Sequence, residues 1–127
     1  MPRALSVDHV QLAMPRGEEQ SARDFYGGML GLMEIPKPAD RIAGGGVWFR
    51  CGEVQVHRGV EDPFHPAKKA HPAFVVDDLA SFVSSLRGRG LPAPTQVDKI
   101  AGGARIFTED PFGNRIELIQ TGDATAP

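Results

Sequence analysis

A spacing of 62 residues occurs twice in this chain, each time between side chains that can bind a metal ion. One pair is His9 and His71, and the other is Gln55 and Glu117. The residues next to the second pair also match, because a β-branched residue precedes both Gln55 and Glu117 and an aliphatic residue follows each. A repeat near half of a 127-residue chain indicates two copies of one structural unit. An approximate twofold axis between such copies would bring four ligand-type residues to one centre.

The size and composition indicate one compact domain and exclude several classes of function. A chain of 127 residues with 41% hydrophobic content can bury one core. The net charge of −2 gives no electrostatic argument for a nucleic acid or an anionic membrane as partner. The single cysteine, Cys51, excludes an intrachain disulfide and a cysteine-based zinc site. Without a signal peptide or an 18-residue apolar run, the default expectation is a cytoplasmic protein.

The hydrophobic periodicity predicts the order βαβββ in each half of the chain. For the first half it predicts strands at 4–13, 32–35, 47–50 and 53–57, and a helix at 18–30. For the second half it predicts strands at 70–76, 95–97, 105–108 and 115–120, and a helix from Asp77 or Asp78 to about Arg89. We therefore expect an α+β domain over 1–127, with modules at about 4–57 and 70–120 joined by a linker at 58–69.

The alternation of side chains along the strands separates an apolar face from a polar one. The apolar positions are Val10, Leu12, Val54, Val56, Phe74, Val76, Ile116 and Leu118. The opposite positions include His9, Gln55, His71 and Glu117. The helices are expected to cover the apolar face, so that a curled sheet would enclose the four polar side chains.

These four side chains suit a divalent ion such as Mn, Fe(II), Co, Ni or Zn. Two imidazoles and a carboxylate leave positions open for substrate oxygens, which the ion would polarise. Taken singly, each residue is more often a solvated strand side chain, so the metal hypothesis depends on the shared face and the repeated spacing. Gln55 is the weakest candidate, because amides are poor ligands.

Several segments resemble one family, the vicinal oxygen chelate superfamily, which includes glyoxalase I, fosfomycin-resistance thiol transferases, extradiol dioxygenases and bleomycin-resistance proteins. The segments that carry the resemblance are DHVQL at 8–12, FYGGMLGL at 25–32, AHPAF at 70–74, VDDL at 76–79 and DPFGNRIEL at 110–118. They are spread over nearly the whole chain. The set is a strong indicator of fold and a weak indicator of reaction, because the superfamily hosts many chemistries.

The resemblance implies paired βαβββ modules that form a cupped mixed sheet around a metal, with helices on the outer face. It implies that His9, His71 and Glu117 are ligands. Metal isomerases of the family also use a glutamate at the position of Gln55, and a neutral amide cannot accept a proton. The three-ligand pattern of the thiol transferases and dioxygenases therefore fits this chain better than glyoxalase I isomerisation.

Several other side chains are candidates for substrate contacts or acid–base groups. His57 shares the face of Gln55 and could act with Glu117 in proton transfer, although a solvated histidine at a strand end is the plainer interpretation. One of Trp48 and Phe49 is expected to line the pocket, and we assign that role to Trp48. The cationic candidates for an anionic substrate are Arg50, Arg58, Lys68, Lys69, Arg105 and Arg115, of which Arg115 is the best because it shares the face of Glu117.

The sequence is compatible with two main functional hypotheses. The first is a metal-dependent lyase, thiol transferase or dioxygenase acting on a small oxygen-bearing substrate. In this hypothesis His9, His71 and Glu117 bind the ion, and Gln55 is the candidate for a fourth ligand. The second is a metal-free protein that binds a small molecule or drug, as bleomycin-resistance proteins do. A family member with an empty site is a third, plainer option. In each case we expect a homodimer.

Overall fold

The computed structural model describes residues 1–122 and divides the chain into two compact units, Met1–His65 and Pro66–Pro127. Each unit contains one four-stranded mixed sheet and has the element order βαβββ. The predicted α+β class and the two βαβββ modules are therefore confirmed. Within the described residues, no helix has the length and apolar character needed to cross a membrane.

The first unit begins with strand β1 and a short helix. Its elements are β1 at His9–Met14, helix α1 at Glu19–Ala22 with a π-helical continuation at Arg23–Met29, β2 at Met33–Ile35, a 3-10 helix at Ala39–Gly44, β3 at Val47–Cys51 and β4 at Val54–Val60. The strand order in the sheet is β1-β4-β3-β2. Strands β1 and β4 are parallel, whereas the other pairs are antiparallel.

The second unit repeats this arrangement. Its elements are β5 at Ala73–Val75, helix α2 at Leu79–Gly88, β6 at Asp98–Ile100, β7 at Gly103–Glu109 and β8 at Arg115–Thr121. The order is β5-β8-β7-β6, and β5 is parallel to β8. The apolar face of β7 and β8 is buried, and its members include Ala104, Ile106, Ile116 and Leu118. The face that carries Phe107 and Glu117 lies on the other side of the same strands.

The predicted helix at 18–30 is correct in place but differs in geometry. The predicted apolar stripe is buried, with Ala22, Phe25, Tyr26 and Met29 at 8% exposure or less. The backbone widens after Ala22, and the amide of Leu30 donates to the carbonyl of Phe25, five residues earlier. Two consecutive glycines at 27–28 lie in this segment, and their weak helix preference is consistent with the departure from α-helical spacing.

Several predicted strands differ in their bounds from the structure. The strand predicted at 70–76 covers only Ala73–Val75, so that His71 precedes it. Two further differences have an evident physical reason. The strand predicted at 95–97 lies instead at Asp98–Ile100, because a tight turn at 101–102 pairs Ile100 with Gly103 and so fixes the register. Gly102 adopts a φ of +81° in this turn, which a glycine tolerates best. The first strand starts at His9 rather than at residue 4, because β4 starts at Val54 and the ladder therefore ends beside His9.

Arg58 is a buried core residue rather than a cation in a linker. Strand β4 continues to Val60, and Arg58 lies on the same face of β4 as Val56, with no exposed surface. Its guanidinium carbon is 4.6 Å from the centre of the Tyr26 ring, and its Nη2 donates to the carbonyl of Ala13 at 2.8 Å. The expectation that Arg58 is available to a substrate is therefore wrong.

Asp78 caps helix α2, and its loss should lower the thermal stability of the protein at neutral pH. Its carboxylate accepts hydrogen bonds from the amide of Ser81 at 3.2 Å and the hydroxyl of Ser81 at 2.6 Å. These bonds lower the pKa of Asp78 from 3.8, with the hydroxyl bond as the largest cause. Because the folded-state pKa is the lower one, this stabilisation is present above pH 3.8 and is lost as the pH falls through the folded-state pKa.

We expect Asp78→Ala to lower the melting temperature by about 3–5 °C at pH 7, as measured by circular dichroism. The difference from the wild type should shrink as the pH falls below 3.8 and through the folded-state pKa. Asp77→Ala is the matched control, because Asp77 is exposed and lies just outside the cap. An equal effect of the two substitutions at pH 7 would contradict the assignment of the cap.

Candidate metal centre

The polar face of the second unit brings two of the predicted ligands together. His71 Nε2 lies 2.9 Å from Glu117 Oε1, although the two residues are far apart in the chain. Their side chains are 27% and 8% exposed. His71 precedes strand β5, and the amide of Glu117 donates to the carbonyl of Pro72 at 3.1 Å, which holds the two segments side by side.

The hydrogen bonds of His71 define which of its nitrogens can bind a metal. Its Nδ1 lies 2.9 Å from the carbonyl oxygen of Lys69, and since a carbonyl can only accept, Nδ1 carries a proton. In the neutral imidazole, Nε2 then presents a lone pair towards the Glu117 carboxylate. Two such lone pairs repel each other unless a proton or a cation lies between them. The pair therefore suits a cation.

The distance between these two donor atoms also fits a shared ion. Metal bonds to histidine nitrogen and carboxylate oxygen are about 2.0–2.2 Å long, so two neighbouring ligands at a right angle are about 3 Å apart. The 2.9 Å between His71 Nε2 and Glu117 Oε1 matches this value. The anchored Nδ1 of His71 is the outer hydrogen bond that metal-binding histidines usually make.

Basic and aromatic side chains surround this pair. Arg105 Nη1 lies 3.7 Å from Glu117 Oε2, and Arg105 Nε donates to Asp98 at 2.9 Å. The bond to Asp98 is the largest cause that raises the pKa of Arg105. The Phe107 ring meets the His71 ring edge to face, with their centres 5.3 Å apart. Glu117 therefore has one oxygen facing His71 and the other facing a cation.

The polar face of the first unit carries His9 directly opposite Gln55. His9 Nδ1 lies 2.9 Å from the carboxylate of Asp8, so that in the neutral imidazole Nε2 presents the lone pair. The His57 ring stacks between Trp48 and His9, with ring centres 3.6 Å and 4.3 Å away. His57 Nε2 is 2.8 Å from Gln55 Oε1, to which it donates.

The expectation that His57 is solvated at a strand end is wrong. The residue is 5% exposed and lies in the middle of β4. Burial is the largest cause that lowers its pKa from 6.5, and the charge of His9 lowers it further, whereas Asp8 acts in the opposite direction. The neutral form of His57 therefore persists below pH 6.5.

The protonation of His57 should be visible in the fluorescence of Trp48, the only tryptophan of the chain. A protonated imidazole quenches a stacked indole more strongly than a neutral one. We expect the emission to stay constant from pH 8 to 6.5 and to fall at lower pH, because the pKa of His57 is lowered. In His57→Gln this titration should disappear, whereas His65→Gln should retain it. An unchanged titration in His57→Gln would contradict the stacking.

The strand register gives Glu117 a different counterpart from the one that the spacing suggests. Glu117 lies opposite Ala73, two residues after His71. In the first unit, the residue two positions after His9 is Gln11. Its partner in the β1–β4 ladder is His57 rather than Gln55. His57 and Glu117 are also similarly buried, at 5% and 6% exposure. The equal spacing in the sequence therefore does not correspond to equal positions in the two sheets.

The remaining predicted substrate contacts lie on the polar faces of their own units. Trp48 lies beside His57, whereas Phe49 is fully buried in the core of the first unit. The guanidinium carbon of Arg115 is 3.9 Å from the centre of the Phe107 ring. Among residues 1–122, no group of three or more His, Cys, Asp and Glu side chains is arranged to hold a metal ion. The full ligand set of the sequence analysis thus stays a prediction.

Sequence reasoning missed the groups that orient the candidate ligands. These are Asp8, the carbonyl of Lys69 and the side chain of Phe107. Asp8 could have been noticed as an acidic neighbour of His9. The carbonyl of Lys69 leaves no signal in the sequence, because every residue carries one.

The chain matches the family model of the Glyoxalase/Bleomycin resistance protein/Dioxygenase superfamily over residues 6–118, and it belongs to this superfamily. No curated protein sequence matches it. Among solved structures, it is similar to a glyoxalase family protein from Bacillus anthracis, with 43% identity, a TM-score of 0.84 and coverage of 95% of this chain and 98% of that chain.

Two more distant structures share the fold. A glyoxalase/dioxygenase from Nostoc punctiforme has 21% identity and a TM-score of 0.73, with coverage of 95% of this chain and 98% of the other. Lactoylglutathione lyase from Agrobacterium tumefaciens has 18% identity and a TM-score of 0.69, with coverage of 93% and 95%. At these identities the similarity establishes the fold alone.

Proposed function

We propose that this protein is a metal-dependent enzyme that acts on a small oxygen-bearing substrate. His71 and Glu117 would bind a divalent ion, Mn, Fe(II), Co, Ni or Zn, with His9 as the third ligand. The observation that supports this most is the 2.9 Å approach of His71 Nε2 to Glu117 Oε1, with the proton of His71 held on Nδ1 by Lys69. When bound, such an ion would act as a Lewis acid towards substrate oxygens or, if iron, as an oxygen-activating centre.

The chain's own residues would orient the ligands and accept a proton. The carbonyl of Lys69 and the carboxylate of Asp8 fix the Nδ1 protons of His71 and His9. His57 is suited to accept a proton, because burial favours its neutral form and its Nε2 proton is held by Gln55. Gln55, predicted as a fourth ligand, has its carbonyl oxygen engaged by His57, which supports an orienting role instead.

The proposed reaction class is a lyase, thiol transferase or dioxygenase rather than a glyoxalase I isomerase. Isomerisation moves a proton between neighbouring carbons and is suited to carboxylates on both sides of the substrate. In the first unit the ladder counterpart of Glu117 is His57, and Gln55 carries an amide, so neither position offers the second carboxylate. The substrate contacts that we propose are Trp48 and Arg115.

Equilibrium dialysis against each of the five metals tests the proposal. We expect one of them to be retained at one ion per chain, and EDTA to remove it. If none is retained by the wild-type protein, the proposal is wrong.

A homodimer and a cytoplasmic location remain predictions. Sedimentation velocity tests whether the protein is a homodimer.

A metal-free binding protein is the second candidate, and the half-buried indole of Trp48, which stacks on His57, favours it as a flat surface for an aromatic ligand. A thermal shift caused by a small aromatic compound in the presence of EDTA, together with no retained metal, would support this alternative.

A further inference from the structure

A cavity of about 280 Å³ in the second unit lies next to the His71–Glu117 pair, and neither residue of the pair lines it. Its walls include Lys68, Pro92, Phe107, Glu109 and Arg115. Phe107 belongs to both places, because its ring also contacts the ring of His71. The volume is just below the usual range for small-molecule pockets, which begins at about 300 Å³.

Arg115 is the group in this cavity that is most available to a ligand. Its guanidinium carbon is 3.9 Å from the centre of the Phe107 ring, and the contact holds the side chain in one orientation. Within the described part of the chain Arg115 has no ion pair, whereas Arg105 on the same face is paired with Asp98.

The charges nearest to Arg115 leave its hydrogen-bond donors available. Glu109 lies opposite Arg115 in the β7–β8 ladder, but its carboxylate pairs with Lys68 Nζ at 3.6 Å. Lys68 Nζ also donates to the carbonyl of Gly113 at 3.3 Å. A guanidinium stacked on a ring still presents its N–H edge, which matches the two oxygens of a carboxylate or phosphonate.

We propose that this cavity binds the oxyanion end of a small organic substrate, with Arg115 pairing with a carboxylate or phosphonate and Phe107 contacting the carbon skeleton. Lys68 adds a second positive charge at the rim. The opposite end of such a molecule would extend past Phe107 towards His71 and Glu117. That this anion is a substrate depends on the proposed function, whereas the binding of the anion does not.

The experiment is an NMR titration of the isotope-labelled full chain, in the presence of EDTA, with three probes of similar size. Benzoate and phenylphosphonate carry the oxyanion in its two forms, and benzyl alcohol carries none. We expect at least one of the two anions to bind the wild type with a dissociation constant in the millimolar range, and to shift the signals of Arg115 and Phe107. Benzyl alcohol should bind at least tenfold more weakly.

Two variants and one control identify the responsible group. Arg115→Gln removes the charge and should weaken anion binding at least tenfold, with no effect on benzyl alcohol. Arg115→Lys retains the positive charge but loses the planar guanidinium, so it should weaken anion binding by a smaller factor. This variant also provides the test if Arg115→Gln does not fold. Lys99→Gln removes an exposed cation of β6 outside the cavity and should bind like the wild type.

Equal anion affinity in the wild type and both Arg115 variants would overturn the proposal, as would a wild type that binds neither anion. Because EDTA is present, these results do not depend on a metal. A protein that retains no metal in dialysis but binds benzoate through Arg115 would refute the proposed function and leave this site intact.

Discussion

Replacing His71 with alanine is expected to lower the affinity for the bound metal by about 100-fold or more. Loss of an outer hydrogen-bond partner of a ligand already costs roughly 10–100-fold, and His71 is proposed as a ligand itself. Glu117→Gln should have a similar effect, because an amide retains the shape of the side chain but loses the charge that the ion requires. Equilibrium dialysis, with the retained metal measured by mass spectrometry, gives the two affinities.

His65→Ala is the control for these variants, because His65 follows strand β4 and is not among the proposed ligands. Its metal affinity should equal that of the wild type. The metal affinity of Asp8→Asn should lie between that of the control and those of the two ligand variants, since the substitution weakens the hydrogen bond that fixes Nδ1 of His9. Wild-type retention in both His71→Ala and Glu117→Gln would refute the proposed ligands.

The second large effect is a loss of stability, which is expected when Asp110 is replaced. The carboxylate of Asp110 holds the turn before β8. It is 2% exposed and accepts hydrogen bonds from the amide of Phe112 at 2.9 Å and from the amide and side chain of Asn114 at 3.0 Å. Asp110→Ala would leave three donors without this acceptor in the protein interior. We expect the free energy of unfolding to fall by about 3 kcal/mol or more.

Urea denaturation at pH 7 measures this loss. Asp110→Asn retains one acceptor oxygen and should cost less, about 1–2 kcal/mol. Asp40→Ala, at a side chain that is 80% exposed, should change the stability by less than about 0.5 kcal/mol. If Asp110→Ala were as stable as Asp40→Ala, the carboxylate of Asp110 would not be what holds this turn.

The stability of this turn also matters for the site. Strand β8 starts at Arg115, directly after the turn, and the side chain of Asn114 accepts a hydrogen bond from the amide of Ala67 at 2.9 Å. The turn therefore connects the segment before His71 to the strand that carries Glu117. Metal retention in Asp110→Ala should consequently decrease together with stability.

The strands and helices could be predicted because their apolar periodicity is strong. The stripe that includes Phe25 and Tyr26 defined the first helix, and Asp78 marked the start of the second. The strand predicted at 95–97 was misplaced by three residues, because its register depends on the turn at Gly102 rather than on its own side chains. Arg58 was misjudged because a cation in a strand gives no sign that an aromatic ring will cover it.

The candidate site could be predicted in part. The alternation of side chains along the strands predicted that His71 and Glu117 lie on one face, and the two side chains are in contact. The repeat of 62 residues suggested that Gln55 corresponds to Glu117, whereas the ladders make His57 the counterpart. Spacing along a sequence cannot detect such a shift, because the register is fixed by hydrogen bonds between strands.

Anomalous diffraction from a crystal grown with the retained metal tests the central claim most directly. The account predicts one strong peak per chain, within about 2.0–2.2 Å of His71 Nε2 and a Glu117 oxygen, with His9 Nε2 as a further ligand. A peak bonded to other side chains, or none at these residues, would contradict it.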